Sequence, residues 1–219
     1  MPSDKFGEGR GQAGLGWRAQ MALKRFFDSV VSSIALALFS PLISLIALAI
    51  ILDDGGPVLY VDKRAGKDGK TFNTYKFRSM VVGADKIGLG RAVAKDDPRI
   101  TRVGRFLRQF TLDELPQFFN VLKGDMSVVG PRPGIPAQAE RYDDFERRRL
   151  EMRPGMTGWA WIHGRNNLPW EERIKLDVWY IDHWSLWLDM RILAKTPLMV
   201  LKKEGLYGKE GITPDFKGY

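Results

Sequence analysis

The chain has 219 residues, of which 44% are hydrophobic, and a formal net charge of +8. This size and composition allow one ordinary domain with its own core. The sequence contains no cysteine, which excludes disulfides, thiolate metal sites and thiol nucleophiles, and only two histidines, His163 and His183, which argues against a histidine-rich metal site. A basic balance suits nucleic acid, an anionic membrane surface or phosphorylated substrates, and does not choose among them.

Residues 1–20 are rich in glycine and polar side chains, which predicts a loose N-terminal tail before a single domain over 21–219. The run from Val30 to Leu52 carries no charge over 23 residues. A straight helix of that length is about 35 Å long, enough to cross a hydrocarbon core of about 30 Å. Lys24 and Arg25 come before the run, which favours a cytoplasmic location for that end.

Ser40 and Pro41 stand in the middle of the apolar run. Proline removes one helical N–H and kinks a helix, and a nearby serine hydroxyl can bind the carbonyl that is left without a donor. A kink at this point allows two geometries. The helix either spans the bilayer or enters it, bends and returns to the same face.

Two strand-like runs, VLYVDKRA and TFNTYKF, flank residues 66–69 and predict a β-hairpin. Residues 81–98 read as a loop, and neither glycine-rich phosphate-binding fingerprint occurs there. From residue 99 to 110 apolar residues recur at helical spacing. Four arginines follow every third position in this segment and fit either a face against anionic groups or a solvated face: Arg99, Arg102, Arg105 and Arg108.

A short helix with an apolar side is predicted to end at Gly124, followed by a stiff turn over 130–134 that holds Arg132. Polar helical sequence continues to about Met152, and two further helices are predicted near 169–182 and 186–203. Six of the seven tryptophans lie between Trp159 and Trp187. Tryptophan favours the headgroup level of a bilayer, so we predict an interfacial surface, with a tryptophan-rich core as the alternative.

Asp113 and Glu114 are the strongest candidates for chemistry, and local physics leaves their role open. Thr111 and Glu114 fit a capping box, whereas Asp113 as the cap would place Pro116 in the first helical turn, where a missing N–H costs little. The functional alternative is a carboxylate held ionised by a helix end and Arg108. Such a group suits a nucleophile or a Mg²⁺ ligand, with arginines near the phosphate.

The chain closely resembles the small monotopic bacterial phosphoglycosyl transferases, which are polyprenyl-phosphate sugar-1-phosphate transferases. The resemblance covers the chain from about residue 24 to its end. The Trp161-Ile162 pair departs from the usual Gln-Val and is a candidate for sugar or nucleotide selection. The matching segments are KRFFD at 24–28, the Ser40-Pro41 run, KFRSM at 76–80, residues 97–133, RPGMTGWAWIHGRNN at 153–167, LDVWYID at 176–182 and LDMRIL at 188–193.

The resemblance implies an α+β, mainly helical, membrane-monotopic fold with a small β-hairpin, interfacial amphipathic helices and a re-entrant helix at about 25–54. Its bend falls at Ser40 and Pro41. It also implies a catalytic dyad of Asp113 and Glu114, in which Asp113 is the nucleophile and is associated with Mg²⁺. The residues implied as substrate phosphate ligands are Arg108 and Arg132.

The implied reaction transfers a sugar-1-phosphate from a UDP-sugar to a polyprenyl phosphate such as undecaprenyl phosphate. It passes through an aspartyl-phosphosugar intermediate and releases UMP, as the first membrane step of glycoconjugate assembly. The expected place is the cytoplasmic face of the bacterial inner membrane. A bilayer is the expected partner, a nucleic acid is not, and a homodimer is left open. Two alternatives remain: a metal-dependent enzyme without a covalent step, and a non-catalytic, membrane-anchored lipid-binding scaffold.

Overall fold

The computed structural model describes residues 15–88, 92–203 and 205–208. The described chain is mostly helical with two small sheets, as the sequence predicts. The helices and strands are α1 Leu15–Asp54, β1 Leu59–Ala65, β2 Thr71–Phe77, α2 Arg102–Gln109, α3 Gln117–Lys123, β3 Ser127–Val129, α4 Pro136–Ala139, α5 Asp144–Arg147, β4 Gly155–Thr157, α6 Trp159–Ile162, α7 Trp170–Asp182 and α8 Leu186–Lys202.

Helix α1 is 40 residues long and contains the whole apolar run. It begins at Leu15, so residues 15–20 of the predicted tail are helical, and residues 1–14 lie outside the described residues. Its outward side is strongly apolar: Ile34 is 61% exposed, Leu38 69% and Leu45 66%. By length and composition the helix is able to cross a membrane.

Pro41 lies inside α1 and cannot donate the helical hydrogen bond to the carbonyl of Ala37. The hydroxyl of Ser40 donates to that carbonyl oxygen instead, at 2.9 Å. Ser44 in turn donates to the carbonyl oxygen of Ser40 at 3.0 Å. The prediction that a serine supplies the missing donor is therefore confirmed.

The N-terminal part of α1 is anchored in the core by buried charge. The Nζ of Lys24 lies 2.6 Å from the carboxylate of Asp189 on α8, and both side chains are buried. Asp189 also accepts from the Tyr180 hydroxyl at 2.7 Å and from Trp184 Nε1 at 3.2 Å. This carboxylate is thus saturated by one cation and two neutral donors.

The same part of α1 also binds the segment after the dyad. Arg25 donates to the carbonyl oxygens of Val121 and Leu122 near the end of α3. Asp28 accepts from the backbone N–H of Val128 at 3.0 Å. Carbonyls at a helix end and the N–H of a strand therefore depend on α1 for their partners.

The C-terminal part of α1 is held mainly by apolar packing. Ile46 and Ile50 are buried in one cluster with Phe77 of β2 and Leu107 of α2. Because both parts of α1 pack against the same body of short elements, the helix is integral to the fold.

Two aspartates close the C-terminal end of α1. Asp54 forms a salt bridge with Arg78, directly after β2. Asp53 accepts from the backbone N–H of Val103 at 3.1 Å, in the first turn of α2. The end of α1 is therefore fixed to the two elements that flank the loop predicted at 81–98.

The predicted hairpin is confirmed: β1 and β2 pair antiparallel, with Tyr60 opposite Lys76 and Asp62 opposite Thr74. The sequence did not predict the second sheet, in which β3 and β4 pair in parallel. Its backbones meet at Gly155, where an added Cβ would lie 2.1 Å from the backbone nitrogen of Gly130. Only glycine permits this approach.

The polar helical sequence predicted to continue to about Met152 is broken into short pieces, so that prediction is wrong. Helix α4 ends at Ala139, and Asp143 starts α5 with a capping box. Its carboxylate accepts from the N–H of Glu146 at 2.8 Å, and the Glu146 carboxylate accepts from the N–H of Asp143 at 3.1 Å. The capping box therefore starts a new helix at Asp143, where periodicity alone predicted continuous helical structure.

The predicted long helices near the C-terminus are confirmed as α7 and α8. The tryptophans divide between the two interpretations. Trp161 and Trp184 are buried in the largest core cluster, whereas Trp187 is 66% exposed and Trp179 39% exposed. The core alternative therefore holds for the first pair and a surface location for the second.

Candidate active site

One cavity of about 550 Å³ brings the predicted polar site residues together. Its walls come from the hairpin, the start of the 81–98 loop, the segment before α3, the turn after β3 and the segment before α7. Four residues chosen from the sequence line it: Asp113, Glu114, Arg108 and Arg132. Ser40 and Pro41, chosen for the membrane bend, lie in α1 and do not line it.

Asp113 lies in a single 3₁₀ turn, Leu112–Glu114, before α3. Thr111 precedes the turn with φ of 57° and caps nothing with its side chain, and α3 begins only at Gln117, after Pro116. Both capping interpretations of this segment are therefore wrong. The Thr111 backbone lies in the left-handed region, a strained conformation that persists only where surrounding contacts enforce it.

The Asp113 carboxylate is half-buried and forms no hydrogen bond or salt bridge within the described part of the chain. Burial is the largest influence on it and raises its pKa above the ordinary value. The charge of Glu114 acts in the same direction, whereas the cations Lys76, Arg108 and Arg165 oppose it. The sequence prediction weighed only a helix end and Arg108, and so missed the direction that burial imposes.

Glu114 is in the opposite situation, although it is the next residue. Its Oε1 lies 2.8 Å from Lys76 Nζ and 2.9 Å from Arg132 Nη2, and its side chain is buried. Burial alone would raise its pKa, but Arg132 and Lys76 together hold the pKa well below the ordinary value. Glu114 therefore stays charged and joins two cations at one point of the cavity.

Sequence reasoning missed four cations that line the cavity: Arg64, Lys76, Arg78 and Arg165. Of these, Lys76 and Arg165 act on the charge of Asp113. Burial lowers the pKa of Lys76, and it lowers the pKa of Arg165 to about 10. Arg165 stacks over Trp161 at 4.6 Å and donates to the Thr111 hydroxyl at 3.2 Å. Lys76 stands between the aromatic residues Tyr75 and Phe77, and that interruption was its available signal, whereas Arg165 lies in polar sequence and gave no such signal.

The four spaced arginines do not share one face. Arg108 lines the cavity, and its Nε is buried with no hydrogen-bond partner among the residues that the structure describes. Arg102 and Arg105 are exposed on α2. Arg99 precedes the helix, is buried and pairs with Asp97 at 2.6 Å, which holds the pKa of Asp97 at about 2. The predicted common face is therefore wrong for Arg99.

A second layer of buried charge holds Arg132 in place. Arg149 donates to the Arg132 carbonyl oxygen at 3.0 Å and forms a salt bridge with Asp177 at 2.7 Å. Trp161, at the position proposed for sugar selection, is buried and does not line the main cavity, and the same holds for Ile162.

The residues of the cavity fit a Mg²⁺ ion whose coordination is completed by the phosphates of a substrate. No cluster of three or more histidine, aspartate or glutamate side chains occurs in residues 15–88, 92–203 and 205–208. Mg²⁺ commonly takes one or two protein carboxylates and fills its other positions with water and substrate phosphates. The oxygens of Asp113, which have no partner among the described residues, meet that requirement, whereas Oε1 of Glu114 already binds both Lys76 and Arg132.

Comparison with known proteins identifies related sequences over most of the chain. A family model described as bacterial sugar transferase matches residues 19–203. An undecaprenyl-phosphate galactose phosphotransferase of Salmonella typhimurium is 44% identical over 210 residues, which are 90% of this chain and 44% of the relative. The uncharacterized sugar transferase EpsL of Bacillus subtilis is 43% identical over 89% of this chain and 95% of its own length.

A UDP-glucose:undecaprenyl-phosphate glucose-1-phosphate transferase of Escherichia coli is 44% identical over 183 residues, 80% of this chain and 39% of the relative. The chain thus spans less than half the length of the Salmonella and Escherichia relatives and nearly all of EpsL.

Proposed function

Because the chain belongs to the bacterial sugar transferase family, we propose that it transfers a sugar-1-phosphate from a UDP-sugar to a polyprenyl phosphate such as undecaprenyl phosphate. The observation that carries this proposal is the unpartnered carboxylate of Asp113, set among buried cations in one large cavity. Relatives named for transfer to undecaprenyl phosphate support the choice of acceptor.

In the first step, an Asp113 oxygen attacks the β-phosphorus of the UDP-sugar. The bond from that phosphorus to the bridging oxygen breaks, UMP leaves, and the phosphosugar stays on Asp113. Arg108 and Arg165 stabilise the charge on the phosphoryl oxygens, because fixed cations in a site with little water act strongly on developing charge.

In the second step, a phosphate oxygen of the polyprenyl phosphate attacks the same phosphorus. The bond to Asp113 breaks, the free carboxylate returns, and polyprenyl-diphosphate-sugar is the product. A Mg²⁺ ion held by Asp113 and substrate phosphates would supply further charge neutralisation.

We assign Glu114 a positioning role. Its low pKa makes it a poor proton acceptor, and its contacts with Lys76 and Arg132 fix where those cations lie. The two carboxylates of the dyad therefore divide the work: one reacts and the other aligns.

We further propose that α1 is re-entrant and that the cavity lies at the cytoplasmic face of the inner membrane. A straight helix from Arg25 to Asp54 would be about 44 Å long. The bonded route between these residues runs through Asn120, Tyr75 and Arg78. Its backbone part along β2 is only about 10 Å. The side chains of Arg25, Asn120 and Arg78 would all have to point in line to make up the rest, which favours a bend.

The donor is soluble and the acceptor phosphate lies at headgroup level, so a cavity beside the membrane helix is reached by both. The exposed side of α2, which carries Arg102, Arg105 and the 55% exposed Phe106, suits contact with anionic headgroups. This placement keeps the interfacial role predicted for that helix.

The nucleophile is tested with Asp113→Asn. With the wild type, UDP-sugar and Mg²⁺, we expect UMP release without acceptor and a phosphosugar mass adduct on the peptide that contains residue 113. The variant should lose both, by at least about a thousandfold in rate, while remaining membrane-bound.

Asp182→Asn is the matched control, since it neutralises an exposed carboxylate outside the cavity. Turnover by Asp113→Asn at the control rate would exclude the covalent step. Turnover without any adduct in the wild type would favour a metal-dependent transferase, and no turnover with any UDP-sugar would favour the scaffold.

The topology is tested by single-cysteine labelling, which the cysteine-free sequence allows without background. Arg18→Cys before the apolar run and Lys67→Cys in the hairpin turn are both at exposed positions. A re-entrant helix predicts that an impermeant reagent labels both from the same side of sealed inverted vesicles. Labelling from opposite sides would show that α1 spans the bilayer.

A further inference from the structure

We propose that the lipid acceptor enters the cavity beside the end of α1 and that its first isoprene units lie against Tyr60 and the loop residues Met80, Val81 and Val82. This inference rests on the proposed function and adds a binding site for the hydrocarbon part of the acceptor.

Strand β1 gives the cavity a direction. At its start, Leu59 pairs with Phe77, which packs with the C-terminal part of α1. At its far end, the N–H of Ala65 donates to the Gly134 carbonyl oxygen at 2.9 Å, just before α4. These ends are about 20 Å apart at 3.4 Å per residue. The cavity, which follows β1, thus has one end beside the membrane helix and one away from it.

The two ends differ in chemistry. Beside α1 the lining includes Met80, Val81 and Val82, and the two valines are 39% and 68% exposed. Toward α4 it includes the amide of Gln138 and the indole of Trp170, which packs in a cluster with Ala65. Aliphatic side chains suit a hydrocarbon, whereas an amide and an indole suit a hydroxylated sugar or a nucleobase.

The apolar end continues the surface of the membrane helix. Ile51 and Leu52, in the last turn of α1, are 49% and 76% exposed. Directly after them, Asp54 is tied to Arg78, whose Nε also donates to the Pro57 carbonyl oxygen at 2.6 Å. Arg78 and Pro57 both line the cavity. A hydrocarbon chain can therefore pass from α1 to the loop without crossing the charged centre, where displacing water from ions is costly.

The phosphate of such an acceptor would meet a cation at once. Arg108 donates from Nη1 to the Ser79 hydroxyl at 3.4 Å, which places this guanidinium at the root of the loop. The lipid phosphate thus arrives between the apolar loop and Asp113.

The test compares Val82→Asp with Ile87→Asp. Ile87 is 51% exposed in the same loop and does not line the cavity, so it is a matched control for added surface charge. For each protein, kcat/KM is measured for the UDP-sugar that the wild type accepts and, separately, for undecaprenyl phosphate.

We expect Val82→Asp to lose about tenfold or more in kcat/KM for undecaprenyl phosphate, with less than about a twofold change for the UDP-sugar. Ile87→Asp should resemble the wild type with both substrates, and Val82→Leu should recover acceptor use. An unchanged acceptor kcat/KM in Val82→Asp, or an equal loss with both substrates, would overturn the proposed acceptor surface. Failure of the proposed function would look different, because the wild type itself would form no lipid-linked product.

Discussion

Two aspartates, one that anchors the N-terminal part of α1 and one in the cavity, differ in how their oxygens are bound. Asp189 on α8 holds α1 through Lys24 and also accepts from Tyr180 and Trp184. In the cavity, Asp113 has cations nearby but no hydrogen bond or salt bridge within the described residues.

A carboxylate whose oxygens are all bound is committed to holding the structure. One that is desolvated and unbound can accept an electrophile or a metal, at a cost in stability. The difference separates an anchor from a reactive group among residues of the same type. Four experiments test this contrast, and they follow in order of decreasing expected effect.

Asp189→Asn should give the largest loss of stability. It keeps an acceptor oxygen for only one of Tyr180 and Trp184, which donate to different oxygens of Asp189. It also leaves the buried Lys24 ammonium without a counter-charge, which costs about 3–5 kcal/mol. In a chain of this size the melting temperature should fall by about 10 °C, as measured by thermal unfolding in detergent. Adding Lys24→Met should recover part of the loss, and a full loss in the double variant would contradict the charge argument.

Arg132→Gln should lower kcat by about a hundredfold, because it removes a fixed cation from the cavity and one of the two partners of Glu114. Arg132→Lys should recover only part of the rate, since an ammonium does not reproduce the planar fork of a guanidinium. Melting temperatures should stay close to that of the wild type because Lys76 still pairs with Glu114. Equal rates in all three proteins would contradict the role of Arg132.

Ionisation of Asp113 should make activity and stability change with pH in opposite directions. Because burial raises its pKa above the ordinary value, folding favours the protonated carboxyl more than the unfolded chain does. Its contribution to stability is present at low pH and is lost as pH rises through the raised pKa. Asp113→Asn should therefore melt at the same or a higher temperature than the wild type at pH 7, although it is inactive.

The wild-type rate should in turn rise with pH through an acid limb that lies above the ordinary range of an aspartate. Both quantities are followed on one set of buffers, by melting curves and by initial rates. A variant that is clearly less stable at pH 7 would show that Asp113 serves as a structural group.

Ser40→Ala should have the smallest effect. It leaves the Ala37 carbonyl opposite Pro41 without its donor, and in a membrane such a bond contributes about 0.6 kcal/mol. A slightly lower melting temperature with unchanged kcat is expected. A loss of activity at unchanged stability would mean that the bend positions substrate directly.

Sequence reasoning found the elements whose signals are local. The hairpin followed from two strand-like runs around a turn, and the long apolar helix from composition. It also placed Asp113, Glu114, Arg108 and Arg132 in one site, although through a family resemblance, because their spacing alone left helix capping open.

The features it missed depend on partners far away in the chain. The parallel pairing of β3 with β4 joins segments about thirty residues apart. Lys76 became a cavity residue only once β2 lay beside the segment before α3. The raised pKa of Asp113 reflects packing from several elements at once, which no window of sequence contains.

The anchoring of α1 has a practical consequence for making a water-soluble form of this protein. Deleting residues 1–54 would remove the partners of Asp189, Arg78 and the Val121 carbonyl together. The rest of the chain would therefore lose buried ion pairs and hydrogen bonds as well as the apolar helix. A better route is to keep the helix and to replace exposed apolar residues on its outward side, namely Ile34, Leu38 and Leu45, by polar ones.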